Sequence, residues 1–278
     1  MINHRIKFKI EGMKSMSFKL SQEQMMKIAG LGDATLYDAR FGWVMWETDK
    51  NVVEKFLPPG LVIVDPYAIA FIANYPKTNF SPPYKESALF LAVESTNGKK
   101  GIYCMAMPVT DEVALFAGRN IGYPKKIATI KFNEANGVIT GSVERYQIPF
   151  ASFTINENKE ISIPPDHKLF EYINPKGATV FNIIAVHSES FVALDMKSYL
   201  IRQKIKAKPE MAKICEGSIA FTPSKYDPWY EIPIKKMICA LSFRGQTKMM
   251  DVNMDQPIDG AKAFPVSFPR SYDAHHYI

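Results

Sequence analysis

The tightest constraint on the fold is local. Ile127 to Phe132 and Val138 to Tyr146 alternate in side-chain character and flank Asn136-Gly137, a dipeptide that tolerates the positive φ angles of a tight hairpin turn. The pattern predicts two antiparallel strands. Phe41 to Trp46, Tyr67 to Ala73, Ser87 to Val93 and Ile102 to Met107 add short β-branched or aromatic runs punctuated by Asn, Pro and Gly. Thr179 to Val186, Leu200 to Ile205 and Ser218 to Phe221 read the same way. Helices are fewer. Ser21 and Gln24 form a capping-box pattern ahead of Met25, Met26 and Ile28, with Gly30 as the stop. After Asp49, Val52, Val53, Phe56 and Leu57 share one helical face, which Pro58-Pro59-Gly60 terminates. Met237, Ile238 and Leu241 predict a late helix over Ile234 to Leu241. Many strands with few helices predict an α+β fold dominated by an antiparallel sheet, closed or folded on itself.

The 278 residues are 47% apolar, enough to bury one large core. No repeat, low-complexity tract or long linker divides them, so the expectation is a single domain over residues 1–278, with 1–35 as an N-terminal extension. Asp65 and Pro66 interrupt the longest apolar run, around Leu61 to Ala73, well short of the roughly 18 residues of a membrane span. The N-terminus alternates basic and apolar residues and lacks a secretory pattern, which makes the cytoplasm the default location. Cys104, Cys215 and Cys239 are too widely spaced for a disulfide framework or a metal site. The formal charge of +6 is scattered from Arg5 to Arg270. It does not point to nucleic acid, and suits an anionic small molecule as well as ordinary solubility.

The segment Phe116-Ala117-Gly118-Arg119-Asn120-Ile121-Gly122-Tyr123-Pro124-Lys125-Lys126-Ile127-Ala128 carries the candidate chemistry. Its glycines and proline make a shaped turn that releases the chain directly into a strand. In that strand Lys125 and Lys126 point to opposite faces, so one of them looks into the interior of any barrel the sheet forms. An interior lysine can be a nucleophile. Only the neutral amine attacks a ketone, and at the unperturbed pKa of about 10.4 well under ~0.1% is neutral at pH 7. Bringing that value near neutrality takes about 5.5 kcal/mol, within reach of burial combined with a nearby cation. A protonated imine then accepts the electrons released when a β-carboxylate leaves as carbon dioxide, without metal or organic cofactor. Lys99-Lys100 and Lys235-Lys236 are also doublets, and a doublet by itself reads as a solvated surface feature.

The surrounding residues separate Lys125 from those doublets. Gly118-Arg119, a short spacer and Tyr-Pro-Lys-Lys-Ile-Ala resemble the lysine motif of the acetoacetate decarboxylase family, where Gly-Arg-Glu precedes Pro-Lys-Lys at a similar distance. Trp46-Glu47-Thr48-Asp49 through Leu57-Pro58-Pro59-Gly60-Leu61 is similar to the family's N-terminal helix with its Pro-rich exit. Asp227 through Ile234 to Ala240, and Phe268-Pro269-Arg270 with Tyr272-Asp273, are similar to its later segments. The resemblance runs from about Arg40 onward.

It implies a cone- or barrel-like sheet enclosing the active site, imine formation at Lys125, and Lys126 as the neighbouring cation that perturbs it. Acetoacetate decarboxylase is itself the standard example of a lysine activated by desolvation or a cationic neighbour. The family's Tyr-x-Glu-Ser context is matched by Tyr84-Lys85-Glu86-Ser87, which implies Glu86 as a proton shuttle. Arg40 falls within one position of an expected arginine that would orient the substrate carboxylate. Arg119 is expected to brace the turn. Two positions depart from the pattern. A second family glutamate falls at Phe71 or its neighbour, in the wholly apolar stretch Ala68 to Ala73, and Asn120 replaces the glutamate after Gly-Arg.

The resulting expectation is a cofactor-independent decarboxylase of acetoacetate or a related β-keto acid, acting through a lysine Schiff base. Its partner is a small keto acid, and a homo-oligomer is expected by analogy. The alternatives are a Schiff-base aldolase-dehydratase acting on pyruvate or a related keto acid, and a non-catalytic ligand-binding member. His275 and His276 lack partners at metal-site spacing, and His187 with Ser188, Glu189 and Ser190 lacks a nucleophile-elbow pattern.

Overall fold

The computed structural model describes residues 19–29, 33–186 and 197–273. His187, His275, His276 and the stop at Gly30 lie outside the described residues. Helix α1 (Gln22–Ala29) carries the expected capping box. Ser21 N–H donates to Gln24 Oε1 at 2.8 Å, and Gln24 N–H donates to Ser21 Oγ at 3.2 Å. A separate compact unit begins at Asp33.

That body is built on a 14-stranded sheet. Its first half contains β1 (Ala34–Glu47), β2 (Leu61–Val62), β3 (Tyr67–Tyr75), β4 (Lys77–Thr78), β5 (Tyr84–Ser95), β6 (Lys100–Val109) and β7 (Lys125–Ile127). Its second half contains β8 (Thr129–Ala135), β9 (Val138–Arg145), β10 (Ile148–Glu160), β11 (Ile173–Asn174), β12 (Gly177–Val186), β13 (Lys197–Phe221) and β14 (Lys236–Ile258). The helices of this body are the short α2 (Lys50–Val53), then α3 (Glu112–Arg119) and α4 (Gly260–Ser271). Strands β12, β6, β5, β3, β1, β14 and β13 follow one another, and β13 pairs back onto β12, so seven strands close into a ring. Most pairings are antiparallel; β6 pairs in parallel with β12 and β7.

Strand alternation divides the core into two layers. Phe41, Met45, Ile69, Phe71, Ala88, Phe90, Leu241 and Phe243 face the inside of the ring. Val44, Trp46, Ala68, Ala70, Ile72, Leu89 and Leu91 face outward, where Ile130, Ile139, Val143, Phe153 and Ile155 of β8–β10 cover them. The hairpin read from Asn136-Gly137 is the outermost part of this cover. Asn136 and Gly137 take φ of 51° and 72° between β8 and β9.

The expected helix over Ile234 to Leu241 is instead the start of β14. Cys239, Leu241 and Phe243 point inward and Ala240 outward, so both faces are buried and no alternation survives in the sequence. Leu200 to Ile205 and Ser218 to Phe221 belong to one 25-residue strand. The charged stretch joining them contains Pro209, which sits beside an irregularity in the pairing with β14.

Candidate active site

Helix α3 and the turn after it aim Lys125. Asp111 caps α3, its side chain accepting from Ala114 N–H at 2.9 Å. Gly118, expected in the turn before Lys125, lies instead in the last turn of α3. A Cβ at Gly118 would come within 2.3 Å of Lys125 Cε and 2.6 Å of Cδ, so only glycine leaves room for the lysine stem. Arg119 Nε donates to the Lys125 carbonyl at 2.8 Å, and its Nη2 donates to the Ser271 carbonyl at 2.9 Å. It braces the turn against the end of α4.

Lys125 enters β7 opposite Met107 of β6 and faces the inside of the ring. Glu86 lies on β5, in the inward set with Ala88 and Phe90, paired with Val109 of β6. The lysine thus reaches across β6, and its Nζ donates to Glu86 Oε2 at 2.6 Å. The two side chains are only 3% and 2% exposed. The Tyr84 ring lies 5.5 Å from Nζ, on the same pair.

The pair opens onto a cavity of about 180 Å³. Lys125 and Glu86 are the only charged groups among its described lining residues. Its wall is aromatic. Trp43 and Phe71 have ring centroids 4.8 Å apart, Trp43 and Phe90 5.7 Å, and Phe41 stacks on Phe243 at 4.3 Å. Burial, reinforced by the Glu86 carboxylate, pushes the Tyr75 and Tyr84 phenols well above their ordinary range. Burial also pushes the Cys104 thiol up to about 12. These groups stay neutral around the pair.

The structure brings Lys125 and Glu86 together and sends Lys126 and Arg40 elsewhere. Lys126 projects to the other side of β7, where Nζ contacts Asp273 Oδ1 at 3.1 Å and the Pro269 carbonyl at 3.3 Å. Burial pulls its ammonium below the ordinary value, against the pull of Asp227 and Asp273. Arg40 precedes the inward-facing Phe41 by one residue and therefore faces the outer layer. Its Nε and Nη2 donate to both oxygens of Glu134 at 2.9 and 2.8 Å; it also contacts Glu157, and Nη1 donates to Ser242 Oγ at 2.6 Å. Phe71, where the resemblance placed a lost glutamate, lines the cavity. Phe41, Trp43, Phe90 and Phe243 also line it, and nothing in their local sequence marks them as lining residues. The alternation Phe41-Gly42-Trp43-Val44-Met45 puts Phe41 and Trp43 on one face, but only the pairing shows which face encloses space. Among the described residues, no group of three or more His, Cys, Asp or Glu could hold a metal ion. No described helix is long and apolar enough to cross a membrane.

A family model described as acetoacetate decarboxylase (ADC) matches residues 18–257, starting earlier than the resemblance from Arg40. Acetoacetate decarboxylase 1 of Bradyrhizobium diazoefficiens is 26% identical over 125 residues, 45% of this chain and 50% of that protein. The chain spans about half the length of the curated relatives it matches. Acetoacetate decarboxylase from Legionella pneumophila superposes with a TM-score of 0.71 at 19% identity, covering 81% of this chain and 88% of that one. The enduracididine biosynthesis enzyme MppR, solved with the condensation product of pyruvate and imidazole 4-carboxaldehyde, superposes with a TM-score of 0.65 at 14% identity, covering 81% and 89%. Both likenesses are of fold.

Proposed function

The chain belongs to the acetoacetate decarboxylase family, and we propose that it decarboxylates a β-keto acid through an imine at Lys125. The observation that carries this reading is the buried Lys125–Glu86 contact facing an apolar cavity. In this reading Glu86 Oε2, 2.6 Å from Nζ, takes the ammonium proton, leaving the amine lone pair free to attack the ketone carbon. The carbinolamine loses its oxygen as water when Glu86 returns that proton. In the resulting iminium, the bond to the carboxylate carbon breaks, carbon dioxide departs and the electron pair moves to nitrogen as an enamine. Protonation of the enamine carbon and attack by water on the imine carbon then free the product ketone and the lysine.

The cavity wall supports loss of the carboxylate over its retention. A carboxylate drawn into a cavity whose lining is mostly apolar gives up its hydration, and leaving as neutral carbon dioxide removes that charge. An aldol reaction on pyruvate keeps the carboxylate and calls for a cation or several donors to hold it. Among the described lining residues Lys125 is the only cation. Lys126 acts in this reading through the backbone it shares with Lys125, and Arg40 as a strut between layers.

The test is carbon dioxide release from acetoacetate, 3-oxohexanoate and benzoylacetate, measured beside condensation of pyruvate with an aldehyde. Release that disappears in Lys125→Ala supports the reading. Condensation without release assigns the aldolase role and rejects it.

A further inference from the structure

The cavity that Lys125 and Glu86 face carries an aromatic wall along the sheet from them. Phe71 stands opposite Ala88, two residues along β5 from Glu86, a backbone offset of about 7 Å along the strand at ~3.4 Å per residue. A methyl group on the reacting carbon ends only about 1.5 Å from it. The cavity is bounded in part by Trp43, Phe90 and Phe243, whose rings offer a water no polar atom but the Trp43 indole N–H, fewer than the roughly two to four partners it needs. An apolar cavity of about 150 Å³ is known to take benzene, and this one measures about 180 Å³. Left unfilled, its lining atoms forgo dispersion contacts on one side.

We propose that the cavity takes β-keto acids whose ketone carbon carries a ring-sized or longer apolar group, in preference to acetoacetate. This rests on Lys125 as the imine-forming residue. The ketone lies at Lys125 and Glu86, while the apolar group reaches the Trp43–Phe71–Phe90 stack. Selectivity then comes from area removed from water and grows by about fourfold in affinity per methylene.

Two measurements on the full chain test this and separate it from the imine reading. Calorimetry with the product ketones acetone, 2-pentanone and acetophenone is expected to show affinity rising in that order, by at least about tenfold overall. The ratio of kcat/KM for benzoylacetate to that for acetoacetate is expected above about ten, and to fall at least about tenfold in Ala207→Leu, which narrows the cavity. Equal or falling affinity along the ketones overturns the proposal, as does a ratio that Ala207→Leu leaves unchanged. Borohydride reduction distinguishes the two levels. If acetoacetate is trapped on Lys125 while acetophenone does not bind, the size preference fails and the imine stands. If the larger ketones bind more tightly but none is ever reduced onto Lys125, the imine reading fails and the substrate proposal falls with it.

Discussion

Lys125 and Glu86 meet at 2.6 Å with nearly all their surface withdrawn from water, so among the described lining residues each is the other's only ionic partner. Glu86→Gln keeps the shape and removes the proton acceptor. It is expected to lower kcat by about 10²- to 10⁴-fold, read by steady-state kinetics. Arg40→Ala tests a different role. It strips the buried partner from Glu157 and Glu134 and is expected to cost about 3 kcal/mol of stability, measured by urea unfolding. The sequence put Lys125 and Glu86 forward because the turn motif and the Tyr-x-Glu-Ser context are local, while their contact depends on the pairing of β5, β6 and β7. The placement of Arg40 was not legible, because shifting a strand by one residue exchanges its faces. Only the pairing of Phe41 with Ala73 and Phe243 shows which parity looks inward.

Helix α3 is the element that aims the lysine, and Gly118 is the position where an added side chain would meet the stem. Gly118→Ala is expected to push Lys125 off Glu86, because the added carbon would overlap Cε and Cδ. A kcat loss with little change in thermal midpoint would show displacement of the side chain; overpacking of this kind costs about 1–3 kcal/mol when the surroundings must yield. The hairpin at Asn136-Gly137 and the capped α1 were readable because their signals are single turns. Helix α4 was hidden by Pro265 and Pro269, which argue against a helix locally yet are accommodated in its 12 residues. Strand β14 was hidden for a different reason: a segment buried on both faces loses the period that marks a strand.

At the scale of the whole molecule, the C-terminal segment is latched to the outer face of the site. Asp273 bonds Arg145 at 2.8 Å, Tyr146 at 2.7 Å and Lys126 at 3.1 Å. Burial works to raise the Asp273 carboxyl, but these hydrogen bonds and the Lys126 charge outweigh it and hold the group well below its ordinary value. A carboxyl depressed in the folded state adds stability above its unfolded pKa of about 3.9 and loses it as pH falls from there through the folded value. Stability is therefore expected to drop below about pH 4, and Asp273→Asn to flatten that slope in acid unfolding curves. An unchanged slope would remove the latch from the account. Ring closure between β12 and β13 was out of reach of the sequence, since it joins strands through long-range pairing. The most direct measurement of the central claim is mass spectrometry of the chain after borohydride reduction with a β-keto acid. The account predicts one product-ketone adduct, on the Lys125 peptide; an unmodified Lys125 peptide during active turnover, or an adduct on Lys126 alone, would contradict it.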